Sequence, residues 1–417
     1  MAAITQHPFV VRNDRPLELT GHVFGRFTVL ALFALLVIAA WYRQATIVTV
    51  LGLTLATIGV SQVWSRLSLR RLRCERTLST RALFPGEELL ITTRLSNQKL
   101  LPLPWVEIVQ SIPPRLRETA EDEALGTGAI TRSLTMPWYS RLTWKQSVTA
   151  QRRGYYVLPP LTITSGDILG LYPRITDATS FEHVSVYPRI YPIRRLPLQR
   201  TDATGDLLGR TALQEDLTRM RGIRDYQPWD GLRRVHWKAS ARHRILKVKV
   251  HDPSALSRVN LVLVADSFDS FADREPFELA ASTAASIARY CLEHQMQIGF
   301  LSNSRLIAGR GQGRLAAGSG NNHLIALLEI LARATPSGDR SFDVLDRELR
   351  TLARTGAGLI IITGHLQESH ISSFERLART TCPLLVLEVG AAAGHHVTSF
   401  PHRTIGTPND LLDLGGV

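Results

Sequence analysis

Two apolar runs near the start of the chain, Val23–Tyr42 and Ala45–Trp64, constrain its architecture more than any other feature. Each is 20 residues long, about the length a helix needs to cross ~30 Å of hydrocarbon at 1.5 Å per residue. The first carries one charge, Arg26, and the second none. Trp41, Tyr42 and Trp64 end the runs, where interfacial aromatic belts sit. Only Arg43 and Gln44 separate them, so the pattern predicts a tight helical hairpin. A cleaved signal peptide accounts for the first run alone but not for a second run following at once. Two buried helices of a soluble protein would show an amphipathic stripe, and neither run has one. Arg12, Arg15 and Arg26 precede the pair, and Arg66, Arg70, Arg71, Arg73 and Arg76 follow it, against Arg43 alone in the turn. The positive-inside asymmetry predicts a two-span membrane protein with residues 1–22 and everything after the second span in the cytoplasm.

At 417 residues the chain has room for two or three domains. Its net charge of +13 comes almost wholly from arginine, the lysines being Lys99, Lys145, Lys238, Lys247 and Lys249. This bias is read as compositional, and no nucleic-acid partner is expected from charge alone. Cys74, Cys291 and Cys382 are far apart and form no C-x-x-C pair. Reduced thiols are expected, with no disulfide framework and no cysteine-based zinc site.

Residues 76–196 alternate with period two, as in Arg141–Val148 and Glu88–Leu95, between turns at Pro85-Gly86, Ser96-Asn97 and Arg153-Gly154. An antiparallel, sandwich-like β domain is predicted. Residues 197–257 read as a linker leading into a basic block, with a strand at Ile245–Val250. Residues 258–390 alternate strand and helix: Val259–Ala265, Pro276–His294, Gln297–Ser302, Asn321–Ala334, Ser341–Arg354, Leu359–Thr363, Ser369–Arg379 and Leu384–Val389. That order predicts a doubly wound parallel sheet, with its ligand crevice beyond the carboxyl ends of the strands. Asp266 and Thr363-Gly364-His365 fall on that edge. Residues 391–417 read as a loop-like tail whose His395, His396 and His402 are expected to be solvated.

The basic block, Arg221–Val250, is dense in arginine and lysine and holds Tyr226, Trp229 and Trp237, with only Asp225 and Asp230 to balance it. It is too basic for ordinary core and too aromatic for a disordered tail. Other chemistries can be excluded. Without a Gly-Lys dipeptide there is no Walker A loop, and without His-Glu no H-E-x-x-H protease. G-x-S-x-G and G-x-G-x-x-G are also absent. The glycines from Gly309 to Gly320 read as a flexible surface turn, and Cys291, inside a helix, as a packing residue.

Taken in order, these features resemble the bacterial domain of unknown function family number fifty-eight. The signature of that family is matched by Arg224, Tyr226, Asp230, Arg233, Val235, Trp237, Lys238, Ala241 and Arg242, with Trp229 where relatives have glycine. Arg153-Gly154-Tyr155, Gly166-Asp167 and Gly170-Leu171 also match. The resemblance implies a membrane hairpin, a β-rich domain and a C-terminal von Willebrand factor A-like domain. It also implies association with MoxR-type AAA+ ATPases and transglutaminase-like membrane proteins. An A-like domain raises a metal site, for which Asp266 and Ser270 match but Phe268 replaces a ligand and no aspartate follows Thr363. Neither a metal nor another cofactor is therefore expected.

Two roles for the block are compatible. Arg224 and Arg233 could pair with Asp230 around a buried Trp237, docking the linker, while Tyr226 completes the structural set. Arg221, Arg234, Lys238 and Arg242 could face an acidic partner. The expectation is a non-catalytic, membrane-anchored adaptor working with an AAA+ ATPase. The alternatives are metal-dependent ligand binding by the A-like domain and, last, an unrecognised enzyme.

Overall fold

The computed structural model describes residues 15–16, 26–113, 116, 129–197, 214–226, 235–243, 245–254, 258–268, 274–308, 313–338, 341–380, 382–390, 399–412 and 414. The chain divides into two compact units, Met1–Val186 and Tyr187–Val417. The expected β domain, 76–196, therefore ends ten residues late, its last strand closing at Val186.

The first unit opens with β1 (Arg15–Pro16), α1 (Arg26–Trp41) and α2 (Ala45–Ser68). Arg43 makes the turn between the helices at φ 51°, and Gly52 of α2 faces Leu36 of α1. Among the described residues, only α2 is long and apolar enough to cross a membrane. α1 has 16 residues, about 24 Å at 1.5 Å each, and Val23–Gly25 of that expected span lie outside the described residues.

Ten strands follow: β2 (Leu72–Leu78), β3 (Ala82–Leu83), β4 (Glu88–Asn97), β5 (Leu103–Ser111), β6 (Ala129–Met136), β7 (Arg141–Thr149), β8 (Gly154–Leu158), β9 (Thr162–Ser165), β10 (Arg174–Asp177) and β11 (Glu182–Val186). They form sheets ordered β1-β10-β9-β5-β6, β3-β11-β8 and β2-β4-β7. All pairs are antiparallel except β3 with β11. Period-two burial explains the layering. In β4, Leu89, Ile91 and Leu95 turn inward while their neighbours are less buried. Leu72, Cys74 and Leu95 pack on Val106, Ile108, Met136 and Ile163 of the five-stranded sheet. Leu89, Ile91 and Val148 pack on Leu158, Val184 and Val186. Arg76, counted in the sequence among the charges flanking the helices, is instead 3% exposed and ion-paired to Glu182 at 2.6 Å.

Within the segment expected to be linker, β12 (Gln214–Asp225) pairs antiparallel with β13 (Lys247–Ser254). α3 (Trp237–His243) lies between them in sequence. The main sheet then runs β14 (Arg258–Val264), α4 (Arg274–Glu293), β15 (Gln297–Ser302), β16 (Ser304–Leu306), β17 (Arg314–Gly318), α5 (Asn321–Arg333), β18 (Ala334–Gly338), α6 (Phe342–Ala353), β19 (Gly358–Thr363), α7 (Glu368–Ala378), β20 (Leu384–Val389) and β21 (His402–Ile405). Its order is β17-β15-β14-β19-β20-β21, with β17 antiparallel and the rest parallel. Val262, Val264, Ile361 and Val386 face α6 and α7. Their alternates, Leu261, Leu263, Ile360 and Ile362, are fully buried on the opposite face.

Two expectations fail at the sheet edges. The Gly309–Gly320 turn contains β17, and the loop-like tail contains β21. His402, expected to be solvated, is largely buried with Nε2 3.0 Å from Glu388 Oε2. His395 and His396 lie outside the described residues.

Candidate functional site

Numbered along the chain, the parallel strands stand in the order 2-1-3-4-5, so the winding reverses between β14 and β19. Open α/β sheets bind ligands at that point, beyond the carboxyl ends of the strands. Asp266 follows β14 there, and Thr363 ends β19. The two loops are stitched together. Ser267 Oγ donates to Val264 O at 2.6 Å and accepts the Gly364 amide at 2.7 Å. His365 N donates to Ser267 O at 3.1 Å. A Cβ on Gly364 would stand 2.6 Å from Ser267 O, so only glycine allows this closure.

Asp266 Oδ1, Thr363 Oγ1 and His370 Nδ1 are buried here without a hydrogen-bond partner among the described residues. Burial pushes the His370 imidazole below its ordinary value, against the opposing pull of the Asp266 carboxylate and of a hydrogen bond at the His365 backbone. These atoms do not fit a divalent cation. Magnesium wants near-octahedral oxygen ligation, yet the Ser267 hydroxyl is already committed. Phe268 turns into the core against Phe277, ring centroids 5.3 Å apart. Ser270 lies outside the described residues.

The signature segment forms a small, separate feature. Val235 bridges Val248, and both are buried. His236 Nδ1 accepts the Ala239 amide at 3.0 Å, which starts α3. Ser240 Oγ accepts Lys247 N at 2.8 Å and ties α3 to β13. Tyr226, half-buried, donates its amide to Leu246 O at 2.8 Å. Lys247 Nζ meets Asp225 Oδ1 at 2.5 Å.

Trp237, expected at a buried seam, is 67% exposed. It opens a seven-residue helix whose contacts come from Val235 and Ser240, leaving the indole in solvent. Arg224 places Nη1 on Asp225 O at 3.1 Å, and its expected pairing with Asp230 falls outside the described residues. Asp230, Arg233 and Arg234 lie outside the described residues, as does the side chain of Arg221. Lys238 and Arg242 are both exposed, one helical turn apart on the same face of α3.

A third constellation, which sequence reasoning did not nominate, surrounds the end of α2. Ser65 Oγ donates to Tyr172 O at 2.5 Å, and Gln62 Nε2 to Tyr172 Oη at 3.3 Å. Lys99, 8% exposed, donates to Arg70 O at 2.9 Å and also to Ser68 O. The Tyr172 loop is built on Asp167, whose buried carboxylate accepts Tyr172 N at 2.8 Å and Leu169 N at 3.2 Å. Gly170 turns the loop at φ 71°. Gly166 admits no Cβ, which would lie 2.9 Å from the Trp105 ring. The Gly166-Asp167 motif was the available signal, but no spacing rule links it to a helix a hundred residues upstream.

Comparison with known proteins places the signature segment and the main sheet together. A curated relative, "Uncharacterized protein YeaD" of Bacillus subtilis (strain 168), is 26% identical over 302 residues, covering 72% of each chain. Two crystal structures of a beta-glucosidase from Listeria innocua, with gluconolactone and with isofagomine, align at TM-score 0.16 and 10% identity. They cover 28% of this chain and 16% of theirs, a likeness that carries no argument. Residues 222–389, from the last four residues of β12 to the end of β20, match the family described as "Protein of unknown function DUF58".

Proposed function

We propose that this chain is a membrane-anchored, non-catalytic scaffold with both soluble units on the cytoplasmic side. On this reading the α3 surface is presented to an AAA+ ATPase of the MoxR type, alongside a transglutaminase-like membrane protein. One observation carries the anchoring: β1, ahead of α1, pairs with β10 of the same β domain that α2 runs into. A helix pair whose two ends return to one domain enters and leaves a bilayer on one face. Leu30, Phe33, Leu35, Val37, Val50, Leu53, Val60 and Val63 are exposed along the two helices, an apolar surface that calls for a lipid cover. The basic flanks then orient the pair with its ends inside. Burial pushes the Cys74 and Cys291 thiols up to about 12, which removes them as nucleophiles at neutral pH.

Affinity capture of the full chain from detergent-solubilised membranes tests the scaffold. An ATPase should copurify and be lost on Lys238→Glu with Arg242→Glu. If none copurifies, or charge reversal changes no partner, the adaptor role is wrong. Protease added outside intact cells should leave both soluble units uncut. Cation-dependent ligand capture at the switch point is not favoured, because the buried oxygens of Asp266 and Thr363 do not make up a divalent-cation site; magnesium or manganese should leave the melting temperature unchanged.

A further inference from the structure

Three loops meet at the end of the β domain where α2 arrives. Strand register establishes this. Leu72, next to the helix end, pairs with Asn97, and Ser96 pairs with Arg141. In the neighbouring sheet Ser165 pairs with Val106 and Arg174, beside Leu103 and Met136. The loops after β4, before β7 and after β9 therefore share one end with the foot of α2. Hydrogen bonds fasten them to it and to one another: Tyr172 to Gln62 and Ser65, Lys99 to Ser68 and Arg70, and Tyr139 N to Lys99 O at 3.2 Å.

The side chains at the tips are not those of a water-facing rim. Leu100, Trp138, Tyr139, Ile168 and Leu169 are 73%, 61%, 68%, 63% and 58% exposed. Arg66, Arg70 and Arg71 stand exposed around the same foot. Depth follows from helix length. From Ala45 to Ser61 α2 rises about 24 Å, less than the ~30 Å of a hydrocarbon core. Ser61 and Ser65 are already buried, and Ser65 is bonded to Tyr172 O of the β domain. With the Arg43 turn at the far interface, loops bonded to Gln62 and Ser65 sit at the near hydrocarbon boundary instead of in bulk water.

We infer that these three loops form a membrane-seating platform that inserts Leu100, Trp138, Tyr139, Ile168 and Leu169 into the interfacial layer of the bilayer. Arg66, Arg70 and Arg71 contact the headgroups of anionic phospholipids. The inference rests on the reading of α2 as a membrane span and goes beyond it: the β domain is held flat on the leaflet and does not swing from a tether. Aromatic rings favour that layer, and arginines near an anionic surface are drawn to it.

The test uses the full chain in proteoliposomes of phosphatidylcholine with and without phosphatidylglycerol. The native cysteines are buried, so a bimane label goes to Leu169→Cys or, as control, to Gln151→Cys. Gln151 is exposed beyond Thr149, at the opposite end of the sheet. Expected is a blue-shifted label at position 169, quenched severalfold more by headgroup-proximal spin-labelled lipid than the label at 151, and more strongly with phosphatidylglycerol. Equal weak quenching at both positions, with the protein still in the carbonate-resistant fraction, overturns the platform and leaves the anchor standing. A blue shift without lipid quenching assigns the patch to a protein partner and also overturns it. Loss of the chain from the carbonate-resistant fraction overturns the anchor and the platform together. Ile168→Cys repeats the reading should Leu169→Cys fold poorly.

Discussion

Lys99 places its ammonium 2.9 Å from the carbonyl oxygen of Arg70, just past the last turn of α2. A cation at a helix C-terminus satisfies carbonyls that the helix leaves open and opposes its dipole. The buried Lys99→Met variant should lose about 1–3 kcal/mol, the cost of unpaired buried acceptors. Amide exchange should accelerate first at residues 68–72. Unchanged exchange there would show that the lysine is dispensable.

Arg76 and Glu182 are both buried, and Arg76 further donates to Pro159 O at 2.8 Å and Ser180 O at 3.2 Å. Removing one partner strands a buried charge. Arg76→Leu should therefore cost roughly 3–5 kcal/mol in denaturant unfolding, with much of the loss recovered when Glu182→Leu is added.

Gly166→Ala pushes a methyl group against the Trp105 ring and against Tyr172 O, at 2.9 and 3.0 Å. Overpacking of that kind costs about 1–3 kcal/mol. The near-ultraviolet circular dichroism of Trp105 should change before any global loss of structure.

His370, 2% exposed, has its imidazole held below the ordinary 6.5 by burial. The depressed value makes its contribution to stability fully present above pH 6.5 and lost as pH falls through the folded value. The melting temperature should decline on acidification below that point, and His370→Phe should flatten the decline. An identical pH profile in the variant would exclude His370 as the cause.

The thiols of Cys74 and Cys291 behave in the opposite sense. Their folded values stand near 12 against an ordinary 9, so the stability they confer is intact below pH 9 and falls as pH rises towards 12. Ellman's reagent should reach neither at neutral pH until the protein is unfolded.

Much of the second unit was legible because its parallel strands are buried on both faces and so read as apolar runs, as in Leu261–Val264 and Leu359–Ile362. Helix ends were legible where a side chain caps them, as Ser341 does for Asp343 N at 3.2 Å. Strands at sheet edges escaped notice. Arg314–Gly318 and His402–Ile405 owe their places to backbone pairing, which needs no apolar alternation. The charged Gln214–Asp225 was hidden for the same reason. In the candidate sites, Asp266 and Thr363 could be placed from strand ends alone. The exposure of Trp237 and the reach of Lys99 depend on tertiary neighbours that no local pattern encodes.

Arg15 and Pro16 are fastened to Ile175 and Arg174, so the stretch ahead of α1 is held by residues synthesised long after both helices have left the ribosome. On the proposed membrane reading, helix insertion comes first and closure of the β domain later, with the leading segment waiting unpaired on its own side of the bilayer. Ribosomes stalled before Arg174 would display that segment to proteases, and completion of β10 would withdraw it.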